Sequence, residues 1–269
     1  GSPVPFIDSA IQSLARTGVL EVTATDTAAL TGSSLSSQKR RYGAQGIVDD
    51  YAHDDAVRVL LGMIAKTAAM HDRIIKPILS LFDGHHVRVS VLIKTSKEAA
   101  SNFQEQLGYR LRTKDVPYKF IKYPSANQIK SASGPLWIGP LMDKEIAGRL
   151  TEECAIQTCL PTSDELEELI AKGLAWSDKD VEYATREMIR SVKHISSAAD
   201  LLSRQHMLLS LNSMPRLAGT KGAPKMDDVI SDLIELGYSA ARYPDMEPMF
   251  VTDASFDDVI SIFRKYHYD

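Results

Sequence analysis

Residues 5–25 place a helix-period segment, a glycine and a strand-period segment in direct succession, and that order restricts the fold more than any other feature. Ile7, Ala10, Ile11 and Leu14 recur at helical spacing and predict a helix over 5–16. Gly18 opens Val19-Leu20-Glu21-Val22-Thr23-Ala24-Thr25, which predicts a strand over 19–25. A helix, a glycine turn and a strand form the αβ half of an α/β unit. The strand runs into Thr25-Asp26, and in open α/β sheets ligands bind at the carboxyl ends of strands. By position alone this pair reads either as a contact to a bound base or as the cap of the following helix.

Further along, Val57, Leu60, Leu61, Ile64, Ala65 and Ala68 make one apolar face and predict a helix over 54–71. Val87, Val89, Val91 and Ile93 alternate with Arg88, Ser90 and Leu92, which predicts a strand over 86–94. A helix is expected over 97–107, and short strands at 118–123 and 136–139, the second between Gly134-Pro135 and Gly139-Pro140. The remainder reads as helices at 143–153, 163–173, 178–207, 226–236 and 255–266, with two short strands within 238–252. The loop 31–50, rich in Ser, Gly and charge, is the expected boundary between a unit at 1–45 and one at 46–269.

No stretch approaches the ~20 apolar residues that span a bilayer, and no signal-type segment opens the sequence, so a cytoplasmic location (nuclear if the source is eukaryotic) and no membrane partner are expected. Cys154 and Cys159 are too few for a four-thiolate zinc site and are read as buried, reduced thiols. The net charge of −4 argues against nucleic-acid binding on the bulk number. The charge is segregated, however. Residues 109–130 hold Arg110, Arg112, Lys114, Lys119, Lys122 and Lys130 against Asp115, residues 186–225 are also basic, and the acidic excess lies in 152–182. A steering field depends on local sign more than on the total.

Four ordered blocks carry a family resemblance. Gly1-Ser2-Pro3 and the later Thr25-Asp26 form the first. Tyr42-Gly43, His53-Asp54, Arg58, His71-Asp72-Arg73, Pro77, Leu79-Ser80 and His86-Val87-Arg88-Val89 form the second. Ser133-Gly134-Pro135-Leu136-Trp137-Ile138-Gly139-Pro140-Leu141 is the third and most specific. Gly237-Tyr238-Ser239-Ala240-Ala241-Arg242, with Thr252-Asp253-Ala254, is the fourth. Together they resemble the tRNA guanine-26 dimethyltransferases. Departures are Ala52 and Asp54 where that family has Cys and Glu, Gly84-His85-His86 for Asp-His-Tyr, and Val251 for Lys.

The resemblance implies an α/β fold: the C-terminal part of a Rossmann-like methyltransferase sheet, followed by an α+β, largely helical domain that binds tRNA. It implies transfer of methyl groups from S-adenosylmethionine to the exocyclic N2 amine of guanine 26. In the family an Asp-Pro-aromatic tripeptide precedes Gly-Ser/Thr-Pro. The catalytic Asp and the cofactor site are therefore expected upstream of Gly1, with no catalytic residue in this chain, which alone is expected inactive. No Gly-x-Gly-x-x-Gly occurs in the sequence. The resemblance further implies that Pro3, Thr25 and Asp26 border the guanine pocket. The expected tRNA contacts are Arg40, Arg41, Arg73, Arg110, Arg112, Lys119, Lys122 and Arg242. Residues 108–133 take the place of a family zinc knuckle and lack cysteine, so no knuckle is expected. The alternative reading is a non-catalytic RNA-binding module derived from a methyltransferase.

Overall fold

The computed structural model describes residues 1–173, 177–204, 206, 208–246 and 248–266. Helix α1 (Val4–Ser13) leads into strand β1 (Thr17–Ala24), as the opening pattern predicts. The loop that follows is not open: it holds two short helices, α2 (Thr27–Leu30) and α3 (Leu35–Tyr42). The long helix α4 (Ala52–Ala69) comes next, then β2 (Arg73–Phe82) and β3 (Val87–Thr95). β3 pairs antiparallel with β1 on one side and β2 on the other, so the order is β1-β3-β2. β1 and β2 therefore run parallel, joined by the helical crossover through α4.

β2 was absent from the sequence expectations because Pro77 interrupts it. The structure accommodates that proline on an edge strand, beside a bulge between Pro77 and Leu79. The single helix expected over 97–107 is instead α5 (Lys97–Ser101), a 3-10 turn (Phe103–Gln106) and the start of β4 (Leu107–Arg112). β4 pairs with β5 (Tyr118–Ile121) and, after α6 (Ala126–Ile129), with β6 (Ala132–Trp137), giving a second antiparallel sheet.

Helix α4 joins the two sheets. Fourteen of its 18 residues are buried, and a helix apolar on nearly every side is a core helix. Val57, Leu60, Leu61 and Ile64 are fully buried, and truncating any of them to Ala costs about 2–5 kcal/mol. A Cβ on Gly62 would meet the backbone N of Trp137 at 3.4 Å, which shows how closely α4 lies on β6.

The helices α7 (Lys144–Ala147), α8 (Glu152–Cys159), α9 (Ser163–Ala171) and α10 (Asp178–Leu202) follow. The helix expected over 143–153 is thus split between α7 and α8. Positions 205 and 207 of the one expected over 178–207 lie outside the described residues. The third sheet has the order β7-β9-β8, from β7 (Leu208–Ser210), β8 (Ala240–Arg242) and β9 (Met249–Thr252). Around it lie α11 (Met214–Ala218), α12 (Met226–Glu235) and α13 (Phe256–Lys265). Leu208, Ala241 and Val251 face the main core, while Leu209 and Phe250 face a second cluster with Val229, Leu233, Val259 and Phe263. Alternation along each strand supplies the two faces.

Residue 45, the expected boundary, lies within a continuous arrangement. β1 precedes it and pairs with β3, which follows it, and Ile7, Val22 and Leu30 share one core with Leu60, Val89 and Leu136. The two cysteines are exposed rather than buried, because α8 turns only Ala155 fully inward.

Candidate functional site at the carboxyl end of the first sheet

β1 and β2 are parallel, so Thr25, Asp26 and the end of β2 at Phe82 share one edge of the sheet. The close packing of the 31–46 loop shapes this edge. Gly32, at φ +86°, lies so near Gly46 that a Cβ would sit 3.0 Å from the Gly46 Cα, a turn that only glycine makes without strain. Buried Gln38 holds the same loop by donating from Nε2 to the Leu30 carbonyl at 2.8 Å. Helix α3 is thereby folded back onto the end of β1.

The result is a compact polar cluster. Arg41 Nη1 donates to Asp26 Oδ2 at 3.0 Å, and the Tyr42 hydroxyl donates to Asp26 Oδ1 at 2.8 Å. Ser2 Oγ and the Tyr42 hydroxyl lie 3.0 Å apart. The Thr25 amide donates to the Gly1 carbonyl at 3.2 Å, and the Gly1 nitrogen is bonded to Thr25 Oγ1. Burial, with the Asp26 charge adding to it, pushes the Tyr42 phenol well above its ordinary pKa, so it stays a donor. Asp26 begins α2 without a side-chain capping bond. Both its carboxylate oxygens serve α3 instead, which makes Asp26 an organiser of this edge. Pro3 stands at the start of α1, one residue from Ser2. The structure thus brings Gly1 against Thr25 and links Ser2 to Asp26 through Tyr42, with Pro3 the next residue in the chain.

The expected tRNA contacts divide sharply. Arg40 and Arg41 lie exposed on α3, Arg41 paired with Asp26. Lys119 is exposed on β5 and has no ion-pair partner among the described residues. Arg110 is different: it is fully buried on β4. Its Nε and Nη2 donate to Asp55 at 2.8 and 2.7 Å, and Nη1 and Nη2 donate to Asp49 at 3.0 and 2.9 Å. A guanidinium so enclosed does not reach a phosphate at the surface. Burial works against its charge, but Asp55 and Asp49 outweigh it and hold its pKa above the usual range.

Arg112 shares Asp49 at 2.8 Å with its side chain half exposed. Arg73 donates to the carbonyls of Leu14 and Ala15 at 2.9 and 3.0 Å, behind the end of α1. It sits at the amino end of β2, one strand length from Asp26, or roughly 25 Å. Lys122 pairs with Glu105, and Arg242 pairs with Asp227. Arg58, which the sequence leaves open between phosphate and acid, is buried against Asp54 at 2.6 Å and donates to the Trp137 carbonyl.

Two cations outside that expected set belong to the same surface. Lys39 precedes Arg40 on α3, and Lys130 follows α6. Gln45, just beyond α3, exchanges backbone hydrogen bonds with Gly134, and its side chain donates to the Ala132 carbonyl. That bridge carries the basic rim from Arg41 across to Lys130. Run-length in sequence signals Lys39; nothing in the sequence places Lys130 beside it.

Across the edge, His53 at the start of α4 stacks on Phe82, with ring centroids 4.2 Å apart and 13° between planes. Burial lowers its pKa, so the imidazole is neutral at pH 7. Among the described residues no group of three or more His, Cys, Asp or Glu side chains is arranged to hold a metal ion, and no helix is long and apolar enough to cross a membrane.

The family model for N2,N2-dimethylguanosine tRNA methyltransferase matches residues 1–212. The tRNA (guanine(26)-N(2))-dimethyltransferase of Thermoplasma volcanium is 36% identical over 154 residues, covering 56% of this chain and 42% of that protein. The enzyme of the same description from Thermococcus kodakarensis is 29% identical over 266 residues, covering 98% of this chain and 62% of that protein. The chain thus spans about two fifths to three fifths of the length of these curated relatives. Among solved structures, Trm1 from Pyrococcus horikoshii in complex with S-adenosyl-L-methionine superposes with a TM-score of 0.74 at 27% identity, covering 97% of this chain and 63% of that one. With most of its length matched in sequence and nearly all of it in fold, the chain belongs to the N2,N2-dimethylguanosine tRNA methyltransferase family.

Proposed function

We propose that this chain is part of an S-adenosylmethionine-dependent methyltransferase that modifies the exocyclic N2 amine of guanine 26 in tRNA. The observation that carries the reading is the edge at Thr25–Asp26, where Gly1-Ser2-Pro3, α3 and the carboxyl end of β1 converge. The family match and the solved relative support it. The described residues alone do not fit the cofactor. They contain no Gly-x-Gly-x-x-Gly turn, and both oxygens of Asp26 are taken by Arg41 and Tyr42. We place the cofactor site and the proton-accepting Asp on residues preceding Gly1. β1 is an edge strand of its sheet, and that open edge is where the rest of the methyltransferase sheet would pair.

In this reading Pro3, Thr25 and Asp26 line the guanine pocket, with Asp26 fixing the wall through Arg41 and Tyr42. Lys39, Arg40, Arg41, Lys130 and Lys119 hold tRNA phosphates along the basic rim. The continuous sheet favours a methyltransferase part reaching about residue 95, with the tRNA-binding domain after it.

The test compares the full-length protein with the 269-residue chain on unmodified tRNA and labelled S-adenosylmethionine, followed by nucleoside analysis at position 26. The expected result is transfer by the full-length protein only, with salt-sensitive tRNA retention by the chain. Transfer by the chain itself would overturn the upstream placement. A full-length protein that retains tRNA without transfer would favour a binding module.

A further inference from the structure

We propose that the outer face of the His53 imidazole is a stacking platform for an RNA base neighbouring the target guanine, an inference that rests on the tRNA methyltransferase reading above. His53 is exposed, yet one face of its ring lies on Phe82, which is only 3% exposed. The ring is thus braced from behind and open in front. It makes no hydrogen bond among the described residues, so no network consumes its surface. A flat, preorganised ring is what a splayed RNA base packs against.

The placement suits a neighbour of the target rather than the target itself. Phe82 lies opposite Val87 in the sheet, and Val87 lies opposite Ala24. The stack is therefore two strand spacings, ~10 Å, from the end of β1 that carries Thr25 and Asp26. His85 and His86 occupy the turn between β2 and β3, directly after Phe82. The carboxylate in that turn, Asp83, is half exposed and is engaged by the amides of His85 and His86 and by the His86 ring.

The experiment compares wild type, His53→Ala and His53→Phe in the full-length protein. Three readouts are taken: the Kd and KM for tRNA, kcat at saturating tRNA, and the fluorescence of 2-aminopurine placed beside position 26. The platform predicts that His53→Ala raises Kd and KM about tenfold, leaves kcat within about twofold and relieves the 2-aminopurine quenching. His53→Phe restores all three. Unchanged binding in His53→Ala overturns the platform. Equal losses in the two variants also overturn it, because they would mean an imidazole-specific contact. A loss in His53→Ala that appears equally in kcat and tracks a lower Tm marks a structural role and refutes the proposal. A wild-type protein that does not bind tRNA refutes the underlying reading instead.

Discussion

Replacing Arg110 by Met separates an internal strut from an RNA contact. Its guanidinium makes four short N–H···O contacts to Asp55 and Asp49, whose side chains are 1% and 9% exposed. Met fills similar volume but leaves Asp55 buried without its cation, where burial already pushes its pKa up. Breaking a buried pair from one side costs about 3–5 kcal/mol. With a urea slope near 3 kcal/mol/M, the unfolding midpoint falls by about 1–1.7 M. Asp49 is less affected because Arg112 still holds it at 2.8 Å. The double variant Arg110→Met/Asp55→Leu removes both charges, and apolar replacement of a buried pair is often neutral or better. It is expected to recover most of the loss, giving a coupling of at least ~2 kcal/mol in the double-mutant cycle. Urea unfolding by circular dichroism measures stability, and filter binding with tRNA runs beside it. A single variant that loses under ~0.5 kcal/mol while its tRNA affinity collapses would refute the reasoning and return Arg110 to the RNA surface.

Gly32→Ala forces a side chain into the left-handed region and against the Gly46 backbone, and is expected to cost about 1–3 kcal/mol in thermal unfolding and to reduce methyl transfer by the full-length protein as α3 shifts; unchanged stability would contradict the close approach. Lys39→Ala with Arg40→Ala should weaken tRNA binding and flatten the plot of log K against log salt by ~1–2 units, whereas an unchanged slope would remove α3 from the phosphate path. Asp143 is held below the ordinary carboxylate range, first by Lys76 and then by the amides of Glu145 and Ile146 that it caps. A depressed folded pKa stabilises above the unfolded value of ~3.9, and that stabilisation disappears as pH falls through the folded value. The urea-midpoint difference between wild type and Asp143→Asn should be full at pH 6 and shrink below about pH 4, and a difference constant to pH 3 is the contrary outcome.

The elements legible in the sequence were those whose period was long and unbroken: α4, β3, α12 and α13 lie within a few residues of their expected spans. β2 escaped because Pro77 and the adjacent bulge interrupt its alternation, and only the sheet order shows that an edge strand tolerates both. The helices α2 and α3 escaped because a Ser- and Gly-rich stretch resembles a linker until Gln38 and the Gly32–Gly46 approach tie it down. At the site, the positions of Thr25 and Asp26 were legible as the end of a strand. The partners of Asp26 were not, since Arg41 and Tyr42 reach it only through the fold-back of α3.

The same limit explains the cations. A count of Arg and Lys along 109–130 describes a charge, whereas RNA binding depends on which charges remain unspent after folding. Arg58 pairs with Asp54 of α4, and Arg110 pairs with Asp55 of α4 and with Asp49 in the loop before it. Arg110 on Asp55 and Arg58 on the Trp137 carbonyl fix the second sheet to the central helix, and the Tyr243 hydroxyl donating to Asp54 at 3.3 Å extends the contact to the end of β8. The exposed cations of α3, Lys130 and Lys119 are what this arrangement leaves at the surface. Meanwhile the carboxylates of 152–182 are carried largely on α8, α9 and the start of α10, separate in sequence from the rim beside Asp26. An acidic chain can in this way present a basic edge where its first sheet ends: its arginines of deepest burial set the geometry, and its least burdened lysines and arginines are left at the surface.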